Sequence, residues 1–217
     1  MLLVLTDAAD WRGPLLCERW ASVGARLMTP RDLQRPGWRH EPARPLGGLA
    51  VAAGEPLAVA TITGVCALLP CVAASELQSV RTEDRAYVAA EMTAFLCAWL
   101  SALACPVLNA PTPACLCGPA WSPARWVRLA MAARLPTVAG RPEETVAVTV
   151  VGSRAFGARS ISQADLAIHL ATRAGVPLLR VLLSGSTSTP AVAGADLWID
   201  PGVDGVAGAI ADLLAYR

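Results

Sequence analysis

Lysine is absent from this chain; all 18 of its basic residues are arginine. Any step that needs a lysine ammonium therefore requires a partner chain. Arginine matches the charge but is planar and bulkier, so it is no simple substitute. Charge is scarce overall, at 16% of residues, and the formal net charge is +1. Nothing in that balance points to nucleic acid or to an anionic membrane surface. Aromatic residues make up only 5% and there are two histidines, His40 and His169. No Gly-x-Ser-x-Gly elbow occurs, so a nucleophilic serine triad has no local support. No basic region or small-residue cleavage pattern marks MLLVLTDAAD, which predicts a cytoplasmic protein without a signal peptide.

Apolar material is plentiful. Hydrophobic residues make up 54% of the 217 positions, which excludes a disordered chain and allows one large domain or two small ones. Residues 86–104 approach the length of a membrane span. Glu91 lies inside that stretch, and Arg81, Glu83, Asp84 and Arg85 precede it, so a helix buried by its neighbours is expected instead. The seven cysteines (17, 66, 71, 97, 105, 115 and 117) read as reduced, mostly buried and inert thiols. Cys115-x-Cys117 does not have the Cys-x-x-Cys spacing of zinc or thioredoxin-like sites.

Along the chain, Leu2–Thr6 predicts a buried strand, 14–23 a helix ended by Gly24, and Ala25–Met28 a second strand. Residues 29–47 carry four prolines and the arginines 31, 35, 39 and 44, which predicts a loop. Leu49–Ala53 and Leu57–Val65, separated by Gly54-Glu55-Pro56, predict a hairpin. A long helix follows, with Thr82 as its expected cap and Val88, Met92, Phe95, Leu96, Trp99, Leu100 and Leu103 on one stripe. Val107-Leu108 is a short strand. Ser122-Pro123 starts another helix. Two strands joined at Gly152-Ser153-Arg154 come next, then a helix capped at Ser162 and ended by Gly175. Strands at Leu178–Leu183 and Val192–Ile199 and a closing helix complete the chain. This order predicts a parallel-leaning α/β layer over 1–120 and a smaller α+β unit over 121–217.

Four segments carry a family resemblance: VLTDAAD with GARLMTPRDL, EDRAYVAAEMTAFLCAWLSAL, CPVLNAP with SPARWVRLAMAARLPTV, and VAVTVVGSRAFGARS with the tail. In their order they resemble RimK-like ATP-grasp ligases of peptide maturation, with the pre-ATP-grasp N-terminal domain retained. The resemblance implies ATP held between two α+β subdomains, with lysines on the phosphates and acidic residues plus an asparagine on magnesium. This chain departs from that pattern. Ser122-Pro123 stands where the family helix opens with Asn-Lys. Only six residues separate Val138 from Thr145, where most of the ATP-binding body would lie. The late metal motif falls near Gly194-Ala195-Asp196.

The first expectation is therefore a shortened, degenerate relative: a binding or accessory subunit in peptide or natural-product biosynthesis, inactive alone and without a cofactor. The second is an ATP- and magnesium-dependent carboxylate–amine ligase, completed by a partner chain. It would place Arg154 and Arg159 near the nucleotide and Asp196 and Asp200 near the metal. Arg31, Arg35, Trp38, Arg39, Arg81 and Arg85 are candidates for docking a substrate or partner, because guanidinium binds carboxylate bidentately and Trp and Arg anchor interfaces. The expected partner is a second copy, an active ligase or a peptide, with neither nucleic acid nor membrane involved. A third expectation, a generic α/β small-molecule binder, would follow from a fold lacking an α+β unit after residue 144.

Overall fold

A computed structural model describes residues 1–215 except 43, 45, 46 and 139–143. The short segment replacing the expected ATP-binding body thus lies mostly outside the described residues. The chain divides into two compact units, Met1–Pro119 with the C-terminal residues from Leu214, and Ala120–Leu213.

The first unit is built on strands β1 (Leu2–Leu5), β2 (Arg26–Met28), β5 (Gly64–Ala67) and β6 (Val107–Leu108). Their order is β2-β1-β5-β6 and every pairing is parallel. Leu2–Leu5 and Gly64–Ala67 are buried throughout, as expected of central parallel strands covered on both faces. Helix α1 (Arg12–Arg19) joins β1 to β2, and Gly24 in the left-handed region (φ 70°) ends the connection. Gly13 is what lets α1 lie so close to the sheet. A Cβ there would meet Thr6 Cγ2 at 2.4 Å and Leu27 Cδ1 at 2.7 Å.

The proline-rich segment is not all loop. Thr29 opens a short helix α2 (Pro30–Leu33) through a capping box in which Asp32 Oδ2 accepts from the Thr29 N–H at 2.9 Å. The expected hairpin is present as β3 (Leu49–Ala52) and β4 (Glu55–Ala58), paired antiparallel. Its turn is Ala53-Gly54, with φ of 54° and 81°. The second predicted strand then splits. A 3-10 turn over Val59–Thr61 separates β4 from β5, which leaves the hairpin and enters the parallel sheet.

Helix α3 (Arg85–Ala102) buries Leu96, Trp99 and Leu100 in the core, with Val88, Met92, Phe95 and Leu103 partly buried against it. It starts two residues later than the Thr82 cap predicts. Asp84 occupies the N-cap and makes no side-chain capping bond. No helix among the described residues is long and apolar enough to cross a membrane.

The second unit contains α4 (Pro123–Ala132), β7 (Thr145–Val151), β8 (Arg154–Phe156), α5 (Ile161–Ala174), β9 (Leu178–Ser184) and β10 (Val192–Asp196), and α6 (Val206–Ala215) follows. The sheet order is β10-β9-β7-β8, all antiparallel. Trp126 and Ala130 of α4 and Leu166 and Leu170 of α5 pack with Val148, Val150, Val181 and Leu183. Ser122 caps α4 as predicted, accepting from the Arg125 N–H. The cap of α5 is Ser160, not Ser162, and its Oγ accepts from the Gln163 N–H at 3.3 Å. Gln163 is fully buried; it accepts from the Arg159 N–H and donates to the Ser186 carbonyl. An α+β unit after residue 144 is therefore present, so the fold that would have supported a generic α/β binder is not observed.

Candidate functional site

In a parallel sheet, ligands collect outside the carboxyl ends of the strands where the strand order reverses. Here that point lies between β1 and β5, because β1 passes to β2 on one side and β5 sits on the other. Asp7 and Asp10 directly follow β1 at this edge, Glu76 reaches the Ala8 N–H beside them, and Asp32 lies on α2 after β2.

Asp10 and Arg12 form a buried ion pair with side chains 7% and 3% exposed. Arg12 Nε donates to Asp10 Oδ1 at 2.9 Å and Nη2 donates to Oδ2 at 2.6 Å. The Arg12 backbone N–H at the start of α1 and the Thr6 hydroxyl also donate to Asp10, at 3.0 and 2.8 Å. Burial alone would raise the Asp10 pKa. The hydrogen bonds and charge of Arg12, with the Thr6 bond, outweigh it and hold the carboxyl below its ordinary range.

Asp7 and Glu76 face each other across the strand ends. Glu76 Oε1 accepts from the Ala8 N–H at 3.3 Å, while Oε2 is buried and receives no donor. Burial, the hydrogen bond to Asp7 and the like charge of Asp7 push Glu76 up to about 7. The same hydrogen bond, with the Ala9 N–H, lowers Asp7. The two carboxyls thus titrate as a pair that holds one proton through mildly acidic pH.

Beside them is a cleft of about 430 Å³ lined by Arg31, Gln34, Arg35, Glu76, Gln78 and Ser79. Gln34 is fixed in place. It donates to the carbonyls of Pro30 and Glu76 and accepts from the Ser79 hydroxyl. Arg31 and Arg35, exposed on and just after α2, make no ion pair among the described residues.

The other docking candidates lie apart from this cleft or are engaged. Trp38 is half-buried, donates Nε1–H to the Asp32 carbonyl, and packs edge-on against Phe95 and Trp99 at 5.4 and 5.5 Å. That contact places its ring against the first unit's core and leaves it half-exposed. Arg39 donates to the Gly47 carbonyl and lies 3.6 Å from Glu41. Arg81 pairs with Glu83 at 2.6 Å in solvent, and Arg85 reaches back to the carbonyls of Val80 and Gln78.

The candidates for nucleotide and metal lie in the second unit, and each is engaged locally. Arg154 donates to the Ala209 carbonyl and pairs with Asp212 at 3.0 Å. Arg159 pairs with Glu144. Asp196 receives a bidentate bond from its direct cross-strand neighbour Arg180, at 2.8 and 2.7 Å. Asp200 accepts from the Gly202 N–H and shapes a turn. Asp196 on β10 and Arg154 on β8 occupy opposite edges of the four-stranded sheet. Three strand spacings, about 14 Å, separate those edges. Among the described residues no three of His, Cys, Asp and Glu gather as a metal site. These residues do not fit a shared triphosphate–magnesium group.

Sequence reasoning missed Asp10, Arg12, Asp32 and Glu76. Asp7 and Asp10 had a signal, because they follow a buried strand directly. Glu76 had none, since its contact with Ala8 spans 68 residues.

No family profile and no curated protein matches this chain. Solved structures do. The macrocyclase MdnC from Microcystis aeruginosa MRC, bound with precursor peptide MdnA, superposes with a TM-score of 0.74 at 10% identity, over 100% of this chain and 99% of that one. The ATP-grasp ligase PsnB, complexed with minimal precursor, Mg and ADP, gives 0.67 at 11% identity, over 99% and 97%. A RimK domain ATP-grasp protein from Sphaerobacter thermophilus DSM 20745 gives 0.55 at 17% identity, over 99% of each chain. At such identities the likeness is one of architecture: this chain has the fold of the ATP-grasp peptide ligases and RimK-domain proteins.

Proposed function

We propose that this chain is a degenerate ATP-grasp-like binding or accessory subunit of cytoplasmic peptide or natural-product biosynthesis, and that it does not turn over ATP alone. One observation carries the reading: the candidate cations and carboxylates for a nucleotide are engaged elsewhere, Arg154 with Asp212, Arg159 with Glu144 and Asp196 with Arg180, and Arg154 and Asp196 stand at opposite edges of one sheet. Phosphoryl transfer to a carboxylate depends on positioned positive charge, and losing one such donor costs roughly 3–4 kcal/mol. A chain without lysine, whose remaining candidates are spread this way, lacks several at once.

The function left to it is docking. Arg31 and Arg35 border a cleft at the strand ends without ion-pair partners among the described residues, and a peptide carboxylate is the chemistry that two free guanidinium groups bind best. Structural neighbours were crystallised with precursor, leader or core peptides, which supports a peptide as the occupant.

The test has two arms. Purified protein with ATP, magnesium and a glutamate-rich peptide should release no ADP above a no-enzyme control. Binding of that peptide, read by fluorescence anisotropy, should weaken on Arg31→Ala/Arg35→Ala by roughly 10- to 100-fold, from about 1.5–3 kcal/mol for the charged contacts. ATP-dependent ADP release by the pure chain would defeat the reading in favour of an active ligase. Unchanged peptide affinity in the double variant would remove the docking site.

A further inference from the structure

Cys115 and Cys117 flank Leu116 in the loop that follows β6. Leu116 is fully buried in the first unit's core. With Leu116 turned inward, the side chains on either side of it come together, and their Sγ atoms lie 3.5 Å apart. The loop is pinned at several points. Thr112 and Cys115 exchange both backbone hydrogen bonds, at 2.8 and 3.1 Å, and the Leu116 N–H donates to the Pro70 carbonyl at 2.8 Å. Buried Asn109 donates Nδ2–H to the Cys117 carbonyl at 3.2 Å, and the Thr112 hydroxyl donates to the Gly118 carbonyl at 3.3 Å. Gly118 (φ 119°) allows this path, because a Cβ there would lie 3.0 Å from Asn109 Cβ.

The two thiols are unequal. A hydrogen bond from Cys117 holds Cys115 down to about 6, against the opposing effect of burial. That bond and burial push Cys117 well above the ordinary thiol value. Burial raises Cys17 to about 11 and Cys66 to about 12, so those thiols stay protonated.

We propose that Cys115 and Cys117 are a dithiol that reacts with hydroperoxide and closes to an intrachain disulfide. The lone pair of the Cys115 thiolate attacks one peroxide oxygen. The O–O bond breaks, hydroxide leaves, and Cys115 becomes a sulfenic acid. Cys117 sulfur then attacks Cys115 sulfur, the S–OH bond breaks, and the departing hydroxide takes the Cys117 proton as water. With the proton first lost by Cys115, two thiols and one hydrogen peroxide give one disulfide and two waters. The sulfurs must close from 3.5 Å to about 2.05 Å, within reach of side-chain rotation in a loop whose backbone already holds them together. Both residues are 5% exposed, which hinders bulky disulfides far more than a small oxidant. Pro113 and Ala114 beside them are exposed, so the pair lies just under the surface. The chemistry is independent of the ligase-like reading, since it uses only the loop after β6.

The test treats the full-length protein with one equivalent of hydrogen peroxide, blocks the remaining thiols with iodoacetamide under denaturing conditions, and maps fragments by tandem mass spectrometry. The expected result is loss of two of the seven thiols, with the fragment spanning 115–117 lighter by two hydrogens and restored by dithiothreitol. Cys117→Ser should leave Cys115 as a sulfenic acid that dimedone traps, and Cys71→Ser should change nothing. Recovery of Cys115 and Cys117 as alkylated thiols after peroxide would overturn the proposal, as would a disulfide between other cysteines. The wild-type map alone decides the matter if a serine variant fails to fold.

Discussion

Replacing Arg12 by methionine removes one half of the buried pair with Asp10 and keeps a side chain of similar length. Asp10 then retains the Thr6 hydroxyl and the Arg12 backbone N–H, but a carboxylate 7% exposed loses its counter-charge. Removing one partner of a buried pair costs about 3–5 kcal/mol, far more than breaking an exposed pair such as Arg81–Glu83. The double variant Asp10→Asn/Arg12→Met removes both charges, so it should recover a large part of that loss. The sign with pH follows from the lowered Asp10 pKa. In the native protein Asp10 contributes stability that is present above the unfolded carboxylate value and lost as pH falls through the folded one. Without Arg12, burial dominates and the carboxyl can take a proton, so the penalty of Arg12→Met should shrink on acidification. Hydrogen–deuterium exchange of β1 and β5 under mild urea reads this locally and avoids assuming that the whole chain unfolds in one step. A penalty below about 1 kcal/mol, or one equal at neutral and mildly acidic pH, would refute the reasoning.

Glu76→Gln should flatten the pH dependence of stability near neutrality. The wild-type Glu76 pKa is raised to about 7 from 4.5, so its contribution is full below the unfolded value and is lost as pH rises through about 7. Melting temperatures of both proteins between pH 5 and 8 check this, and parallel curves would count against the shared proton. Ser160→Ala should cost about 1 kcal/mol by loss of the α5 cap, and Ser162→Ala within the helix much less. Urea titrations of the two variants should separate, and equal midpoints would mean that Ser160 Oγ contributes nothing.

The parallel sheet and the long helix were legible because their signals are local. Leu2–Leu5 and Val107-Leu108 are apolar runs bounded by polar or proline residues, and the α3 stripe repeats at helical spacing. Helix α2 was hidden because four residues in a proline-rich stretch leave no periodicity, although Thr29 and Asp32 had the capping-box spacing. At α5, capping spacing misled: Ser162-x-x-Asp165 imitates a cap, while Ser160-x-x-Gln163 supplies the real one. The candidate site was only half visible. Arg31 and Arg35 could be chosen by residue type, but the carboxyl pair beside them joins residues 7 and 76, and no local pattern encodes that contact. The separation of Asp196 from Arg154 likewise depends on strand order, which only the folded sheet defines.

Asp32 ties together more than its helix. One oxygen closes the α2 box on Thr29, the other accepts the Gly54 N–H at 2.8 Å from the hairpin turn, and its backbone carbonyl holds the Trp38 indole. Anyone re-engineering this chain therefore inherits a constraint. The β3–β4 tip invites loop grafts and fusion points, since it is short and outside the parallel sheet, yet cutting there would unlatch the arginine-bearing helix at Asp32, 22 residues upstream. Insertions meant to leave α2 and the hairpin latch untouched belong instead in the serine- and threonine-rich loop between β9 and β10.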